Sequence, residues 1–409
     1  MNEGILHCDM NGFYASVECK LNPALRDVPM AVSGDPRSRH GIILAKNEIA
    51  KKFGVVTAET IWQAKRKCPN LVLVPPSRGQ YSHYSRLANE IYCRFTDRVE
   101  PFGIDESWLD VRGAYKLFGS GFEIAEKIRA IIKDELGLTV SVGVSFNKVF
   151  AKLGSDYKKP DATTLVSREN FKEILYGLPA SSLLFVGKKT SQELRKLGIL
   201  TIGDLAAADS RILTSKFGVH GTYLSLCARG EWKDEVAFFC SDNPAKSIGN
   251  SVTYPRDISG AVEFRQALLS LSEKVSGRLR SGGFVCKSVH IVIKDPQFNV
   301  ITRQTSTPSP TNLADDLFET AYWLLTTSWD IDSPVRMLGI SCSGLDAEEN
   351  SQKQMSLLFD EEIELRKKRN MQKAIDECRS KFGSESIKRA SVAFNSLKID
   401  DLKIGSIFK

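Results

Sequence analysis

Val99-Glu-Pro-Phe-Gly-Ile-Asp-Glu-Ser-Trp-Leu-Asp-Val111 decides how this chain is read. It reads as two short strands meeting at Ile104-Asp105-Glu106, the second alternating Trp108 and Asp110 against Leu109 and Val111. Adjacent side chains on a regular strand point to opposite faces. Asp105 and Glu106 therefore serve one site only at a hairpin tip or bulge, where the alternation breaks. Two carboxylates held together repel, and one protonates unless a cation compensates. That is the electrostatic setting of a divalent-metal site with hard oxygen ligands.

A third carboxylate is available. Residues 4–10 form an apolar strand carrying Asp9 at its end, followed by Asn11-Gly-Phe-Tyr-Ala-Ser-Val-Glu18, which reads as helix. A strand end beside a hairpin of the same sheet brings Asp9 to Asp105 and Glu106. Three carboxylates with substrate phosphates hold two magnesium ions, the arrangement for in-line phosphoryl or nucleotidyl transfer. Each stretch alone also fits a plainer reading, an N-capping Asp and a solvated acid pair.

The 409 residues exceed one core, and two to four domains are expected. A net charge of +7 mildly favours an acidic partner. No apolar run reaches membrane-span length, and the N-terminus enters a strand without a signal-peptide core. Nine cysteines, with no C-x-x-C and no His-Cys cluster, argue for reduced thiols in a cytosolic protein, not disulfides or zinc.

Taken in order, the first strand and helix lead into 21–76, a Pro-interrupted segment with clustered basic residues that reads as an inserted subdomain closed by Pro75-Pro76. A helix over 81–95 places Tyr84, Leu87, Ile91 and Phe95 on one face. The acidic hairpin, a helix near 122–136 and a strand over 138–144 follow. Without the insertion, the order is strand, helix, strand, strand, helix, strand, the ferredoxin-like arrangement, which sets the first strand and the acidic hairpin side by side. Lys158 and Lys159 fall on the same end as the acids. A lysine there meets a triphosphate as a point charge, or is a solvated loop lysine.

From 167 to 232 the pattern is short helices. Phe185-Val-Gly-Lys-Lys-Thr190 and Leu197-Gly-Ile-Leu-Thr-Ile-Gly-Asp-Leu205 suggest a helix-hairpin-helix, whose backbone N–H groups bind DNA phosphate without reading sequence, or a plain αα-turn. Residues 233–245 read as a linker. A second strand-helix-strand-strand-helix-strand unit covers 246–345, without acid cluster or phosphate loop. Its polar strand residues Lys287, Ser288, His290, Arg303 and Gln304 fit a phosphate backbone, or the solvated face of a half-covered sheet. The tail, 346–409, is charged; it carries Gln354-Met-Ser-Leu-Leu-Phe359, then a helix over 360–388.

Together these residues resemble the Y-family translesion DNA polymerases of the bacterial DNA polymerase IV type. The resemblance covers 1–345 and 354–359. It is carried by Asp9-Met10 followed by Phe13-Tyr14-Ala15, by Ile104-Asp105-Glu106, by Ser141-Val-Gly-Val-Ser-x-Asn-Lys148 with Lys159-Pro160, and by Lys246-Ser-Ile-Gly249. It implies an α+β multidomain fold: a ferredoxin-like palm (1–20 and 77–166) with inserted fingers (21–76), a helical thumb (167–232), a linker (233–245), a βαββαβ little finger that binds DNA (246–345), and a tail (346–409). The implied activity is template-directed DNA synthesis from dNTPs on a primer–template, with low-fidelity lesion bypass in DNA repair, by a cytoplasmic bacterial enzyme expected to be a monomer.

Residue by residue, the resemblance gives Asp9, Asp105 and Glu106 two Mg²⁺ ions to hold, with the Met10 carbonyl as a further ligand. Phe13, Tyr14, Lys51 and Lys159 fall at nucleotide-binding positions, Tyr14 as the steric gate against a 2′-hydroxyl and Lys159 as the phosphate lysine. Gln354, Leu357, Leu358 and Phe359 match the peptide that binds the ring-shaped bacterial sliding clamp. The chain departs from the family at Glu48 and Lys51, where relatives present Tyr and Arg to the triphosphate. A carboxylate there repels phosphate and lysine lacks arginine's fork, so Lys46 or Lys52 is expected to substitute. Asn11 stands where many relatives have Asp and is expected to N-cap the first helix. Two other classes share parts of the pattern. A nucleotide cyclase needs no helix-hairpin-helix or second βαββαβ unit, and a repair scaffold without catalysis needs no intact acids.

Overall fold

Strand β1 (Ile5–Met10) is buried along its whole length and anchors the first of two units, Met1–Asp242 and Asn243–Lys409. The structure, a computed structural model, describes residues 3–36, 41–239, 245–350, 359–383 and 386–390. After β1 come α1 (Phe13–Leu21), β2 (Met30–Ser33), β3 (Ile43–Lys46), α2 (Glu48–Lys52), α3 (Ile61–Lys67) and β4 (Val72–Val74). Strands β3-β2-β4 make a separate small sheet, with β2–β4 parallel and β2–β3 antiparallel. Its own core includes Ala31, Ile43, Ala50, Ile61 and Ala64.

The chain then returns to the main sheet through α4 (Arg78–Tyr92), β5 (Val99–Pro101), β6 (Glu106–Asp110), α5 (Tyr115–Phe118), α6 (Gly121–Ile131), a π-helical turn (Ile132–Leu136), β7 (Val140–Ser145), α7 (Lys148–Tyr157) and β8 (Thr163–Val166). Sheet order is β5-β6-β1-β7-β8, with β1 antiparallel to both β6 and β7. The first four strands have the ferredoxin-like order expected from the sequence. The edge strand β8, parallel to β7, was not expected. Strand alternation divides the faces: Leu6, Cys8, Met10, Leu109 and Val142 pack under α4 and α6. Ile5 and Trp108 pack with Ala151 of α7 on the other side. His7 and Asp9 share the parity of Ile5, so Asp9 belongs to the α7 face.

Helices α8 (Phe171–Leu175), α9 (Lys188–Lys196), α10 (Ile202–Ala207), α11 (Ser210–Phe217) and α12 (Val219–Arg229) form a bundle that shares a core with Val149, Phe150 and Leu153 of α7. Helices α9 and α10 flank a hairpin turning at Gly198, whose φ of 76° favours glycine. Residues 233–239, read as linker, are seated on the main sheet. Val236 is buried, the Ala237 amide donates to Glu100 Oε2 (2.9 Å), and the Phe239 amide to the Asp97 carbonyl (3.1 Å).

The second unit runs β9 (Ser247–Ile258), α13 (Ala261–Ser281), β10 (Phe284–Lys294), β11 (Val300–Thr311), α14 (Ala314–Ser328) and β12 (Val335–Ala347). Its element order repeats that of the main sheet, but its strand order is β11-β10-β12-β9, with the first strand at an edge. The polar strand residues do not share one face. Gln304 pairs with His290, whereas Arg303 pairs with Ile291 of the core and has the opposite parity. Lys287 falls at a β-bulge and is paired with Asp346 at 2.6 Å. The tail helix α15 (Phe359–Phe382) is shorter than expected, ending before Gly383, whose φ of 95° leaves the helical region. It is held to α13 by the Arg280–Asp376 pair (2.5 Å) and the Arg379–Glu273 pair (3.0 Å). Of the expected clamp motif, Gln354, Leu357 and Leu358 lie outside the described residues, and Phe359 opens α15. No disulfide joins the eight described cysteines, and no described helix is long and apolar enough to cross a membrane.

Candidate active site

Asp9 and Glu106 are cross-strand partners in the β1–β6 register. The hairpin closes when the Phe102 and Gly103 amides donate to the Glu106 carbonyl (2.9 and 3.3 Å). Asp105 lies in the turn, outside the strand, and its carbonyl accepts from the Met10 amide at 3.0 Å. The break in alternation expected at Asp105-Glu106 is therefore present.

Two ammonium groups from the α7 side sit on these acids. Lys159 Nζ lies 2.6 Å from Asp9 Oδ2 and 2.7 Å from Asp156 Oδ1. Lys152 Nζ lies 2.5 Å from Glu106 Oε2. His7 is fully buried: its Nδ1 is 2.8 Å from Ser155 Oγ and its Nε2 3.5 Å from Glu106 Oε2. Helix α7 comes this close because β7 carries Gly143 beneath it, where a Cβ would overlap the Ala151 carbonyl oxygen.

Burial sets the electrostatics. It pushes Asp9 up to about 6 even against the pull of Lys159. Burial and the neighbouring Glu106 charge raise Asp105 as well. For Glu106 burial also opposes ionisation, but His7 and Lys152 outweigh it and hold the carboxyl at about 2. Burial lowers His7, which favours the neutral imidazole.

The other sequence-derived residues divide. Tyr14 is half-buried and stacks on Tyr81, with ring centroids 4.1 Å apart and planes at 9°. Tyr81 is fixed in turn by donating to buried Glu18 (2.5 Å). The Phe13 side chain is turned into the core. Met10 is buried, its sulfur accepting from Tyr92. Lys51 is exposed and paired with Glu48 at 3.3 Å. Lys46 bonds Thr57 Oγ1 (3.0 Å), and burial with the nearby Lys51 charge lowers its pKa. Lys158 is exposed at the end of α7. Asn11 is not the N-cap of α1; Gly12, with φ of 51°, occupies that position. The left-handed turn at Gly12 frees Asn11 to bridge two elements. Its Nδ2 donates to Ser141 Oγ and its Oδ1 accepts from the Asp161 amide, both at 2.8 Å.

The geometry agrees with the comparisons. The impB/mucB/samB family matches residues 8–156, and its C-terminal domain matches residues 245–357. A DNA polymerase IV from Acetivibrio thermocellus is 46% identical over 95% of this chain and 97% of its own length. The chain belongs to the DNA polymerase IV family. A second relative, DNA polymerase IV 2 of Bacillus subtilis, is 36% identical over 94% of this chain and 93% of its own. A chimeric Y-family DNA polymerase of solved structure superposes with a TM-score of 0.74 at 23% identity, over 83% of this chain and 98% of that one, and shares the fold.

Membership of the DNA polymerase IV family implies dependence on a divalent metal, and the chemistry of these acids fits such an ion. Three hard carboxylates meet where β1 ends and β6 begins, and burial raises the pKa of Asp9 and Asp105, so a further cation would be favoured there. Among the described residues no three such groups stand close enough to grip an ion as they are. The Lys159 and Lys152 ammoniums supply positive charge there instead.

Sequence reasoning missed His7, Lys152 and Asp156. A signal was present: Lys148, Lys152 and Asp156 recur every four residues on a helix following a central strand, so one face of that helix carries all three. Lys148 is buried and pairs with Glu100 (2.6 Å) and Asp234 (3.1 Å), tying the 233–239 segment to β5.

Proposed function

We propose that this chain is a template-directed DNA polymerase that joins a dNTP to a primer 3′-hydroxyl, working at low fidelity past damaged template bases. The observation that supports this most is the meeting of Asp9, Asp105 and Glu106 at one strand end, with two lysine ammoniums already on them. Asp9, Asp105, Glu106 and the Met10 carbonyl would hold two Mg²⁺ ions, whose charge would supply activation of the primer hydroxyl and neutralisation of the pyrophosphate.

The chain's own residues do the rest. Lys159, once Asp9 is engaged, offers its charge to the triphosphate. Lys152 holds the Glu106 carboxylate in one orientation. Tyr14, kept flat against Tyr81, walls off the space a ribose 2′-hydroxyl needs. Lys51 is matched by Glu48, so that pair adds no net charge, and Lys46 beside it is the stronger candidate for phosphate.

We assign 1–20 and 77–166 as palm, 21–76 as fingers, 167–232 as thumb and 246–345 as little finger. The thumb hairpin and the little finger would hold primer–template DNA through phosphates, and 354–359 would bind the sliding clamp. We assign the chain as a cytoplasmic monomer. Primer extension with Mg²⁺ and dNTPs tests the reading: incorporation directed by the template base supports it, and no incorporation on any primer–template overturns it.

A further inference from the structure

Helix α3 turns Ile61 and Ala64 into the core of the small sheet and leaves Trp62, Lys65 and Arg66 outside. Spaced i, i+3 and i+4, these three share one exposed face. Trp62 is 65% exposed. The Arg66 guanidinium lies 4.8 Å from the centre of its ring, setting a positive charge on the indole. The helix is well fixed: Thr60 and Gln63 form a full capping box at its start. At its end Lys67 bonds the Gly54 carbonyl (2.9 Å) and Glu59 (2.6 Å). The charge of the segment that carries α3 is lopsided in sequence. Residues 21–76 hold nine lysines and arginines against four aspartates and glutamates, net +5 of the chain's +7.

We propose that Trp62, with Arg66 and Lys65, is a stacking platform for an unpaired base of the template strand ahead of the primer end. This rests on the polymerase reading above. An aromatic plane beside cations on a basic surface holds single-stranded nucleic acid without reading its sequence. Bases inside a duplex are stacked on one another and offer no face to an indole. A primer–template complex supplies unpaired bases only where the template has not yet been copied. The small sheet lies against α1, the helix that follows Asp9: a Cβ on Gly12 would be 3.5 Å from the Lys46 carbonyl oxygen. The platform thus belongs to the same unit as the three acids. A second copy of the chain would set the exposed Lys65 and Arg66 of one α3 against those of the other, so self-association is disfavoured there.

Fluorescence anisotropy on two primer–templates, with 5′ overhangs of one and of eight nucleotides, tests this. The longer overhang should tighten binding by the wild type about tenfold, the scale of one base–aromatic stack. Trp62→Phe should keep most of that gain. Trp62→Ala should lose it while binding the short overhang as the wild type does. Equal gains in Trp62→Ala and wild type overturn the proposal. Trp62-dependent binding of an acidic peptide, with the overhang gain unchanged, overturns it in favour of a protein partner. Extension is the separate readout: if the wild type extends neither substrate, the polymerase reading fails and takes the template assignment with it. If it extends both and the overhang gain ignores Trp62, this proposal alone fails.

Discussion

The substitution Gly143→Ala tests whether helix α7 must sit where it does for chemistry to occur. A Cβ at Gly143 would lie 1.8 Å from the Ala151 carbonyl oxygen and 2.4 Å from the Ser155 amide nitrogen. Both are backbone atoms, so no rotamer change relieves the clash. An ordinary carbon–oxygen contact is about 3.3–3.6 Å, so the helix must withdraw by roughly 1.5 Å. That helix carries Lys152, 2.5 Å from Glu106, and Ser155, 2.8 Å from His7, and Lys159 follows its end. Misplacing catalytic groups by about 1 Å costs on the order of 10²-fold in rate. Overpacking of this kind costs about 1–3 kcal/mol, which lowers Tm by roughly 3–10 °C for a unit of this size. Single-turnover extension at saturating dNTP should therefore fall about 100-fold. DNA affinity, proposed to rest on phosphate contacts spread over several elements, should change far less than the rate, by about threefold at most. Gly113→Ala is the control, since its Cβ meets nothing within 4 Å. A Gly143→Ala enzyme with full rate and unchanged Tm would refute the argument that α7 positions the acids.

Three further outcomes are expected. Tyr14→Ala should admit ribonucleotides, because it removes a clash and no required contact; a mutant that keeps the wild-type preference for dNTPs shows that Tyr14 is not the gate. DNA affinity should fall steeply with salt and depend little on sequence, and a flat log–log salt plot contradicts phosphate-dominated binding. Replacing Leu357, Leu358 and Phe359 with alanine should leave extension unchanged without a clamp and abolish stimulation by a loaded bacterial clamp; equal stimulation of both proteins shows that the motif is not the tether.

What the sequence revealed follows from the range of the interactions involved. The acidic hairpin was legible because alternation and its interruption are local, and Asp105 and Glu106 could share a site in no other way. The ferredoxin-like sheet was legible because its element order admits few topologies. The second unit has the same element order, but its strand order depends on which edges pair, and Gly249 facing Ser341 across β9 and β12 is a contact between distant segments. Asn11 was misread as a cap because Gly12 takes that position through a left-handed turn, leaving the side chain for β7 and Asp161. Lys287 and Arg303 were grouped with their polar neighbours, but a bulge and strand parity separate them. The ion pairs of Lys152 and Lys159 join residues far apart in the chain, and residue types alone do not reveal such partners. Residues 233–239 resemble a linker in composition, yet Val236 fills a hole beside Ile5 and Trp108.

The central claim is that Asp9, Asp105 and Glu106 act together on the reacting groups and do not merely hold the fold. It is tested most directly by comparing Asp105→Ala with wild type in primer extension and in primer–template binding, on the same preparations. Asp105 lies in a turn, and its strand contact is made by its backbone carbonyl, so the side chain can be removed without breaking the sheet. The account predicts extension reduced by at least about a thousandfold, with DNA affinity unchanged, because charge stabilisation acts on the transition state. Extension by Asp105→Ala at about a tenth of the wild-type rate, a loss no larger than one ordinary hydrogen bond would explain, would contradict it.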